Sequence, residues 1–306
     1  MRIDEILGGP EPVFSIEFYP PKTPEKVDEL FETVEALKPL DPSFVSVTYG
    51  AGGATRDGTV EIATRIKRDH GLEVMAHLSC VGETREGLIE ILDRFAAAGI
   101  ENVLALRGDA PRGEPDFRAP EGGLSSATEL AAFIGERYDF TIGGTCFPEV
   151  HPDAPNLEAD LAYLKTKIEA GACFLITQLF FDNRLYFDFV ASARAAGIDV
   201  PIIPGVIPIA TYSQVARICD LCQASIPMEL SGAMEALGGD ADAEALLGVA
   251  YAARQCDELL AGGAPGIHFY ALNRAPGTRA VLSALQASRP WERAPAEPAT
   301  AKVAAE

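Results

Sequence analysis

The chain is poor in positive charge: 25 Lys and Arg stand against 45 Asp and Glu, for a formal charge of −20 over 306 residues. Such a surface repels nucleic acid and anionic lipid at long range, so neither is an expected partner. Anionic small molecules remain allowed where the few cations gather, which makes each Arg or Lys near a pocket informative. No run of about 18 apolar residues occurs, which excludes a membrane-spanning helix. The start, Met1-Arg2-Ile3-Asp4-Glu5-Ile6-Leu7, carries acids and has no signal-peptide apolar region, so a cytoplasmic location is expected. Six cysteines are scattered at 80, 146, 173, 219, 222 and 256, a usage that suits free thiols better than a disulfide framework. Cys219 and Cys222 form a Cys-x-x-Cys within a helical pattern, yet no second pair follows, so half the ligands of a zinc site are missing and a packed helix face is expected. No Gly-x-Gly-x-x-Gly follows a strand; Gly50-Ala51-Gly52-Gly53 comes nearest and lacks both the spacing and the later acid. No Gly-x-Ser-x-Gly marks a nucleophile. No internal repeat is present.

What the chain does have is enough apolar content, 48%, to bury a full core, and a regular alternation of short apolar runs with amphipathic segments. Strands are expected near 13–19, 44–48, 73–78, 102–106, 140–146, 173–178, 201–206 and 266–270. Helices are expected near 24–38, 57–70, 84–98, 124–137, 157–170, 183–197, 211–223, 242–261 and 276–287, with an extra short helix or turn within 225–240. Strands such as Val103-Leu104-Ala105-Leu106 and Phe174-Leu175-Ile176-Thr177 are apolar throughout, as in a parallel sheet covered on both faces. Eight strand-helix units in roughly 280 residues predict a single-domain (β/α)₈ TIM barrel over 1–291 rather than a doubly wound sheet. The segment 292–306, rich in Ala, Pro and Glu, is expected to form a disordered tail.

In such a barrel the active site lies at the carboxyl ends of the strands, and the unusual residues accumulate there. Glu17 lies near the end of the first strand, between Ile16 and Phe18. It is either a general acid or base, or one of an alternating set with Ser15 and Tyr19 on a solvated face. Thr48, His77, Arg107-Gly108-Asp109, Phe147-Pro148-Glu149-Val150-His151, Thr177-Gln178 and Asn273-Arg274 end other strands. Taken singly, His77 reads as a satisfied core histidine, Asp109 as a turn cap and Asn273 as a helix cap; together they predict a shared site. No His-x-x-x-His or Asp-x-Asp pattern accompanies His77, His151, Glu17 or Asp109, so a metal site is not expected. Acid, amide, arginine and aromatic groups around one mouth suit a flat polar heterocycle, with an organic cofactor carrying the chemistry.

Several blocks go further. Phe14-Ser15-Ile16-Glu17-Phe18-Tyr19-Pro20-Pro21-Lys22, Phe44-Val45-Ser46-Val47-Thr48-Tyr49-Gly50, Ala76-His77-Leu78, Leu104-Ala105-Leu106-Arg107-Gly108-Asp109, Phe147-Pro148-Glu149-Val150-His151-Pro152, Ile176-Thr177-Gln178 and His268-Phe269-Tyr270-Ala271-Leu272-Asn273-Arg274 closely resemble the bacterial 5,10-methylenetetrahydrofolate reductase family. The match runs in order from about residue 10 to 288. The resemblance implies a barrel holding non-covalent FAD, reduced by NADH or NADPH, which then reduces methylenetetrahydrofolate to 5-methyltetrahydrofolate by a ping-pong hydride transfer that supplies methionine synthesis. It implies that Glu17 is the general acid that protonates the folate nitrogen, and that Asp109 tunes the flavin electrostatically. Thr48, His77, Arg107, Gly108, Asp109, Phe147, His151, Asp160 and Lys167 match cofactor positions. Gln178, Gln214, Tyr270 and Arg274 match substrate positions, with Arg274 suited to a folate carboxylate.

Some positions depart from the pattern: Phe147 stands where many members have tyrosine, Ser126 replaces a tyrosine near the adenine, Tyr163 and Thr166 replace polar or basic residues, and Ile218 replaces an aromatic. Two alternatives therefore stand beside the flavoenzyme: a flavin-independent homologue passing hydride directly from NADH, and a non-catalytic folate-binding partner subunit. A homo-oligomer without a C-terminal regulatory domain is expected. Glu17, with near-apolar neighbours and Asp109 close by, is expected to lie above its ordinary pKa of about 4.3.

Overall fold

A computed structural model of the protein describes residues 1–49, 53–108 and 119–293, with 53–56 as backbone only. The strands are β1 (Val13–Phe18), β2 (Phe44–Val47), β3 (Val74–Ser79), β4 (Asn102–Leu106), β5 (Thr141–Cys146), β6 (Ala172–Thr177), β7 (Ile202–Ile203), β8 (Gly205–Val206) and β9 (Gly266–Tyr270). The helices are α1 (Ile3–Leu7), α2 (Pro24–Leu37), α3 (Gly53–Arg65), α4 (Arg85–Ala97), α5 (Ala127–Gly135), α6 (Leu157–Glu169), α7 (Asn183–Ala195), α8 (Tyr212–Cys222), α9 (Met228–Ala236), α10 (Ala241–Ala261) and α11 (Ala275–Ser288).

All strand pairs are parallel and run in the order β7-β6-β5-β4-β3-β2-β1-β9-β8. Strands β7 and β8 flank Pro204, and together they occupy the place of the seventh barrel strand. Ile202 and Ile203 pair with β6, Gly205 and Val206 pair with β9, and the Pro204 carbonyl accepts the His268 N–H at 2.9 Å. Proline has no N–H to give the ladder, so the strand is interrupted there, but its carbonyl keeps the ring closed. The predicted (β/α)₈ barrel is thus the observed fold, and the short helix expected within 225–240 is α9.

Side chains alternate along each strand between the helical layer and the barrel interior. On β1, Phe14, Ile16 and Phe18 join the main core between strands and helices, whereas Val13 joins a second cluster inside the barrel with Phe44, Met75, Leu104, Phe174, Ile176 and Ile203. Following the inward positions toward the carboxyl ends, Val13 gives way to Ser15 and Glu17, Phe44 to Ser46, and Met75 to His77 and Ser79. The interior is greasy at the amino end and polar at the mouth. That gradient answers the question posed by Ser15 and Glu17: they do alternate away from the core helices, but toward the barrel lumen, where Ser15 is fully buried.

Helix α1 was not anticipated, because two acids in five residues mask its apolar side. Ile3 is fully buried in the interior cluster, its N–H donating to Asn102 Oδ1 at 2.8 Å, with Ile6 and Leu7 packed alongside. The helix closes the amino end of the barrel. At the other end of the chain, Arg293 pairs with Asp257 at 2.8 Å; the rest of the expected tail, 294–306, lies outside the described residues.

Replacing Ile3 by Ala removes apolar volume from a site with no room to relax, and a loss of about 3 kcal/mol of unfolding free energy is expected. Urea denaturation checks this: the midpoint should fall with an unchanged slope, and an unchanged midpoint would mean that α1 contributes little to the closed barrel.

Candidate active site

The inner face of β1 lies beside that of β9, in the register Ser15↔His268 and Glu17↔Tyr270. Ser15 Oγ and His268 Nδ1 are 2.8 Å apart, and His268 Nε2 lies 3.4 Å from Glu17 Oε2. From the other side, β3 brings His77 Nε2 to 3.5 Å from the same carboxylate oxygen. An ionised Glu17 favours a proton on His268 Nε2, which leaves Nδ1 to accept the Ser15 hydroxyl. The result is a hydrogen-bonded chain from Ser15 through His268 to Glu17, with a second imidazole against the acid. Glu17 is 17% exposed at its side chain, and the two histidines are 6% and 1% exposed.

The electrostatics differ from the expectation for Glu17. Burial pushes its carboxyl upward and is the largest single influence, but the bond from His268 and the charges of His77 and His268 together outweigh it and hold the group below its ordinary value. The expected rise took account of apolar neighbours along the strand and missed two imidazoles from distant strands. His77 is displaced in the matching sense, pushed down to about 4, first by burial and against the pull of Glu17. It is not the satisfied core histidine of the simpler reading: its Nε2, like the Ser46 Oγ on the neighbouring strand, is buried without a hydrogen-bond partner. Tyr270 packs edge-on to His268 and donates its hydroxyl to the Thr177 carbonyl at 2.7 Å, while burial holds its phenol well above the ordinary value.

A cavity of about 610 Å³ opens over the ends of β3 to β5, against α6, within the range of about 300–1,000 Å³ usual for sites that enclose small organic ligands. Arg107, Gly108, Phe147, His151, Asp160 and Lys167 all line it, joined by Ser126 and Tyr163. Thr48 and His77 are not on this wall, though their neighbours Tyr49 and Ser79 are. Gly108 has φ of 88°, and a Cβ there would fall 2.0 Å from Ser79 Oγ and 2.4 Å from Val81 Cγ1, so only glycine fits this turn. Lys167 is 7% exposed and donates to the Thr145 carbonyl at 2.7 Å, and burial lowers its pKa. Asp160 accepts the His151 N–H at 2.9 Å, and His151 Nδ1 accepts the Asp153 N–H at 3.0 Å, which places the imidazole proton on Nε2. Arg107 reaches across to Asp153 at 3.0 Å. Phe147, where a tyrosine hydroxyl is more usual in the resembled family, sets its ring edge-on to His151 with centroids 4.5 Å apart.

The substrate positions are more dispersed. Gln178 ends β6, and its Oε1 accepts the Leu179 N–H at 2.8 Å. Gln214 lies in the first turn of α8, and Arg274 is the exposed residue preceding α11. Among the described residues no hydrogen bond or ion pair joins any of the three to Glu17 or to either of the others. Asn273 does not cap α11; its side chain crosses to Tyr19 instead. Asp109 lies outside the described residues, as does Gly50. Ser15 and His268, which complete the cluster around Glu17, were passed over by strand reading: each stood inside a recognised block but was assigned no role.

Fold and site together define a (β/α)₈ barrel whose mouth carries a buried acid with two imidazoles and a cavity lined by Arg107 and Lys167. This chain belongs to the methylenetetrahydrofolate reductase family, whose profile matches residues 2–286. It is 40% identical over 271 residues to 5,10-methylenetetrahydrofolate reductase of Salmonella typhimurium, covering 89% of this chain and 90% of that one. It is 36% identical over 313 residues to methylenetetrahydrofolate reductase (NADH) 1 of Arabidopsis thaliana, covering 95% of this chain but 52% of the plant protein. The chain thus spans about half the length of its plant relatives. Among solved structures, an uncharacterized Clostridium thermocellum protein that binds two copies of 5-methyl-5,6,7,8-tetrahydrofolic acid shares the fold, with a TM-score of 0.64 at 17% identity over 94% of this chain and 98% of that one. Among the described residues no helix is long and apolar enough to cross a membrane.

The two displaced groups make stability depend on pH in separate windows. Unfolded His77 takes up a proton near 6.5 and the folded residue only near 4, so stability is complete above about 6.5 and falls as the pH drops from there toward 4. The loss is on the order of 2 kcal/mol by pH 5. Glu17, held below its ordinary 4.5, adds stability that is lost only below that value. Urea unfolding at pH 7 and pH 5 should show His77→Asn losing less stability than wild type between the two; equal losses would contradict the assignment.

Proposed function

We propose that the protein reduces 5,10-methylenetetrahydrofolate to 5-methyltetrahydrofolate with NADH or NADPH through non-covalently bound FAD, and that Glu17 supplies the ring-opening proton. The observation that carries this reading is the buried Glu17 carboxylate between His77 and His268, at the mouth of a barrel of this family and beside the large cavity. A cluster of this kind suits an enzyme that must deliver one proton at a defined place.

The residues around the cavity fit a flavin dinucleotide. Two cations, Arg107 and Lys167, line it in a protein otherwise short of positive charge, which suits a pyrophosphate. Gly108 lets the chain turn tightly against Ser79 and Val81 at the cavity wall, and His151 presents a neutral Nε2–H donor. The unpaired His77 Nε2 and Ser46 Oγ supply polar atoms that a ligand in the lumen can satisfy. FAD, when bound, supplies the two-electron carrier between nicotinamide and folate. Gln178, Gln214, Tyr270 and Arg274 are the positions proposed to meet the substrates, with Arg274 free of ion pairs among the described residues and available to a folate carboxylate.

The low resting pKa of Glu17 is compatible with its task. Burial is already the largest influence on the group, and it acts upward. A substrate that covers the remaining exposed edge removes more water and pushes the carboxyl up, so Glu17 gains a proton as the folate binds. His268, oriented by Ser15, donates to the Glu17 carboxylate and holds it in place, while the carboxyl's partly exposed edge lets it recover its proton from solvent.

The direct test is spectroscopic. Purified protein, reconstituted with FAD if colourless, should show flavin absorbance that NADH or NADPH bleaches and methylenetetrahydrofolate restores; absence of bleaching would sink the reading, and turnover after complete flavin removal would replace it with direct hydride transfer. Glu17→Gln should slow the folate half-reaction by about 10²–10⁴-fold while flavin reduction by the nicotinamide continues, because that half needs no ring-opening proton. Equal loss in both halves would remove Glu17 from the proton-donor role.

A further inference from the structure

The chain leaves β9 through Ala271, Leu272 and Asn273, and the last two take left-handed backbones with φ of 50° and 56°. This conformation is unfavourable for a leucine, and such a segment persists only where surrounding contacts hold it. The contacts are specific. Asn273 Oδ1 accepts the Tyr19 N–H at 3.0 Å, and Asn273 Nδ2 donates to the Tyr19 carbonyl at 2.8 Å. The Asn273 carbonyl in turn accepts the Thr33 hydroxyl at 3.3 Å from α2.

The side-chain amide replaces a missing piece of sheet. Pairing between β1 and β9 ends at Glu17↔Tyr270, because β9 turns away immediately afterwards. On its other edge β1 stays paired beyond that point, with Phe18 opposite Val47 and the Thr48 N–H donating to the Phe18 carbonyl at 2.9 Å. Only a primary amide offers a donor and an acceptor in one plane, as a strand partner would. Aspartate could keep the acceptor but would lose the donor and set a negative oxygen against the Tyr19 carbonyl.

We infer that Asn273 is a positioning residue that locks the end of β1, two residues beyond Glu17, to the segment that carries Arg274. The inference rests on the proposed folate reduction. A folate is an extended ligand whose reacting ring lies at one end and whose carboxylates lie at the other. A site that protonates the first with Glu17 and binds the second with Arg274 works only if those residues keep a fixed separation. The clasp sets that separation from the backbone, touching neither the reacting atoms nor the cavity wall. The nicotinamide needs no proton from Glu17, so its half-reaction is insensitive to the clasp.

The test separates the two half-reactions in rapid mixing of FAD-loaded protein. Asn273→Ala should raise the methylenetetrahydrofolate concentration at half-saturation by about 10-fold and lower the maximal rate of the folate half-reaction by about 10–100-fold. Reduction by NADH should stay within about 2-fold of wild type. Asn273→Asp should lose at least as much in the folate half-reaction as Asn273→Ala. A wild-type protein that never passes hydride to the folate would overturn the reductase reading itself. A wild type that turns over while Asn273→Ala leaves the folate half-reaction unchanged, or slows both halves alike, overturns the positioning role alone. Should that variant not fold, amide exchange on the wild type decides: the Tyr19 N–H, on a half-exposed residue, should exchange at least about 100-fold more slowly than an open amide, and unprotected exchange would refute the clasp.

Discussion

The pairing of β1 with β9 is the contact on which both barrel and site depend. It joins segments some 250 residues apart and closes the sheet, and its register places Ser15 opposite His268 and Glu17 opposite Tyr270. Because side chains alternate with a period of two, a slip of one residue would turn Phe14, Ile16 and Phe18 into the lumen and send Ser15 and Glu17 into the apolar layer beneath the helices. The large apolar loss from such a slip protects the register, so the same burial that stabilises the fold also holds a serine, a histidine and a glutamate within reach of one another. Chemistry at the mouth is in this sense held in place by grease on the opposite face of the strand.

The lumen could have been apolar throughout, and its gradient has an electrostatic consequence. Deep inside, Val13, Phe44 and Met75 exclude water and are sealed by Ile3 of α1. One step toward the mouth, Ser15, Ser46, His77 and His268 are all buried. Glu17 therefore sits at a boundary, with dry protein below and the solvent edge above. A carboxylate wholly inside would be too costly to ionise, and one wholly outside would titrate like any surface acid. At the boundary its protonation depends on what covers it, which is the property required of an acid that must release and recover a proton during turnover. The overall charge of −20 makes the few inward cations conspicuous, and Lys167 and Arg107 both face the same cavity.

Much of this was legible in the chain. Apolar strands with polar ends disclosed the barrel and which end of it mattered, because a parallel sheet covered by helices leaves polar side chains little place except the lumen and the loops. Glu17 stood out because it interrupts such a strand. Its partners did not, since Ser15 reads as an ordinary alternating residue and His268 precedes a Phe-Tyr pair that looks like core. The pKa direction was misread for a related reason: apolar neighbours are visible in sequence, whereas His77 and His268 reach Glu17 only after the sheet is rolled. Helix α1 escaped notice because a five-residue plug has too little periodicity to detect. The split seventh strand was hidden because Pro204 is compatible with either a strand end or an interruption.

Strain marks the same end of the barrel. Among the described non-glycine residues with left-handed backbones, Val150 precedes His151 on the cavity wall, and Leu272 and Asn273 precede Arg274 at the mouth. A β-branched valine at φ of 69° is disfavoured by roughly 1–3 kcal/mol, and a glycine would remove that strain. Glycine would also free the loop, and a His151 ring proposed to meet a bound group at a set angle gains more from a stiff connection than from a relaxed one. Each loop carries the chain within a few positions from a strand end to a residue of the cavity wall or mouth, from Cys146 to His151 after β5 and from Tyr270 to Arg274 after β9. The strained positions thus lie in the short loops that leave β5 and β9, and the cost is borne by the packing of the barrel beneath.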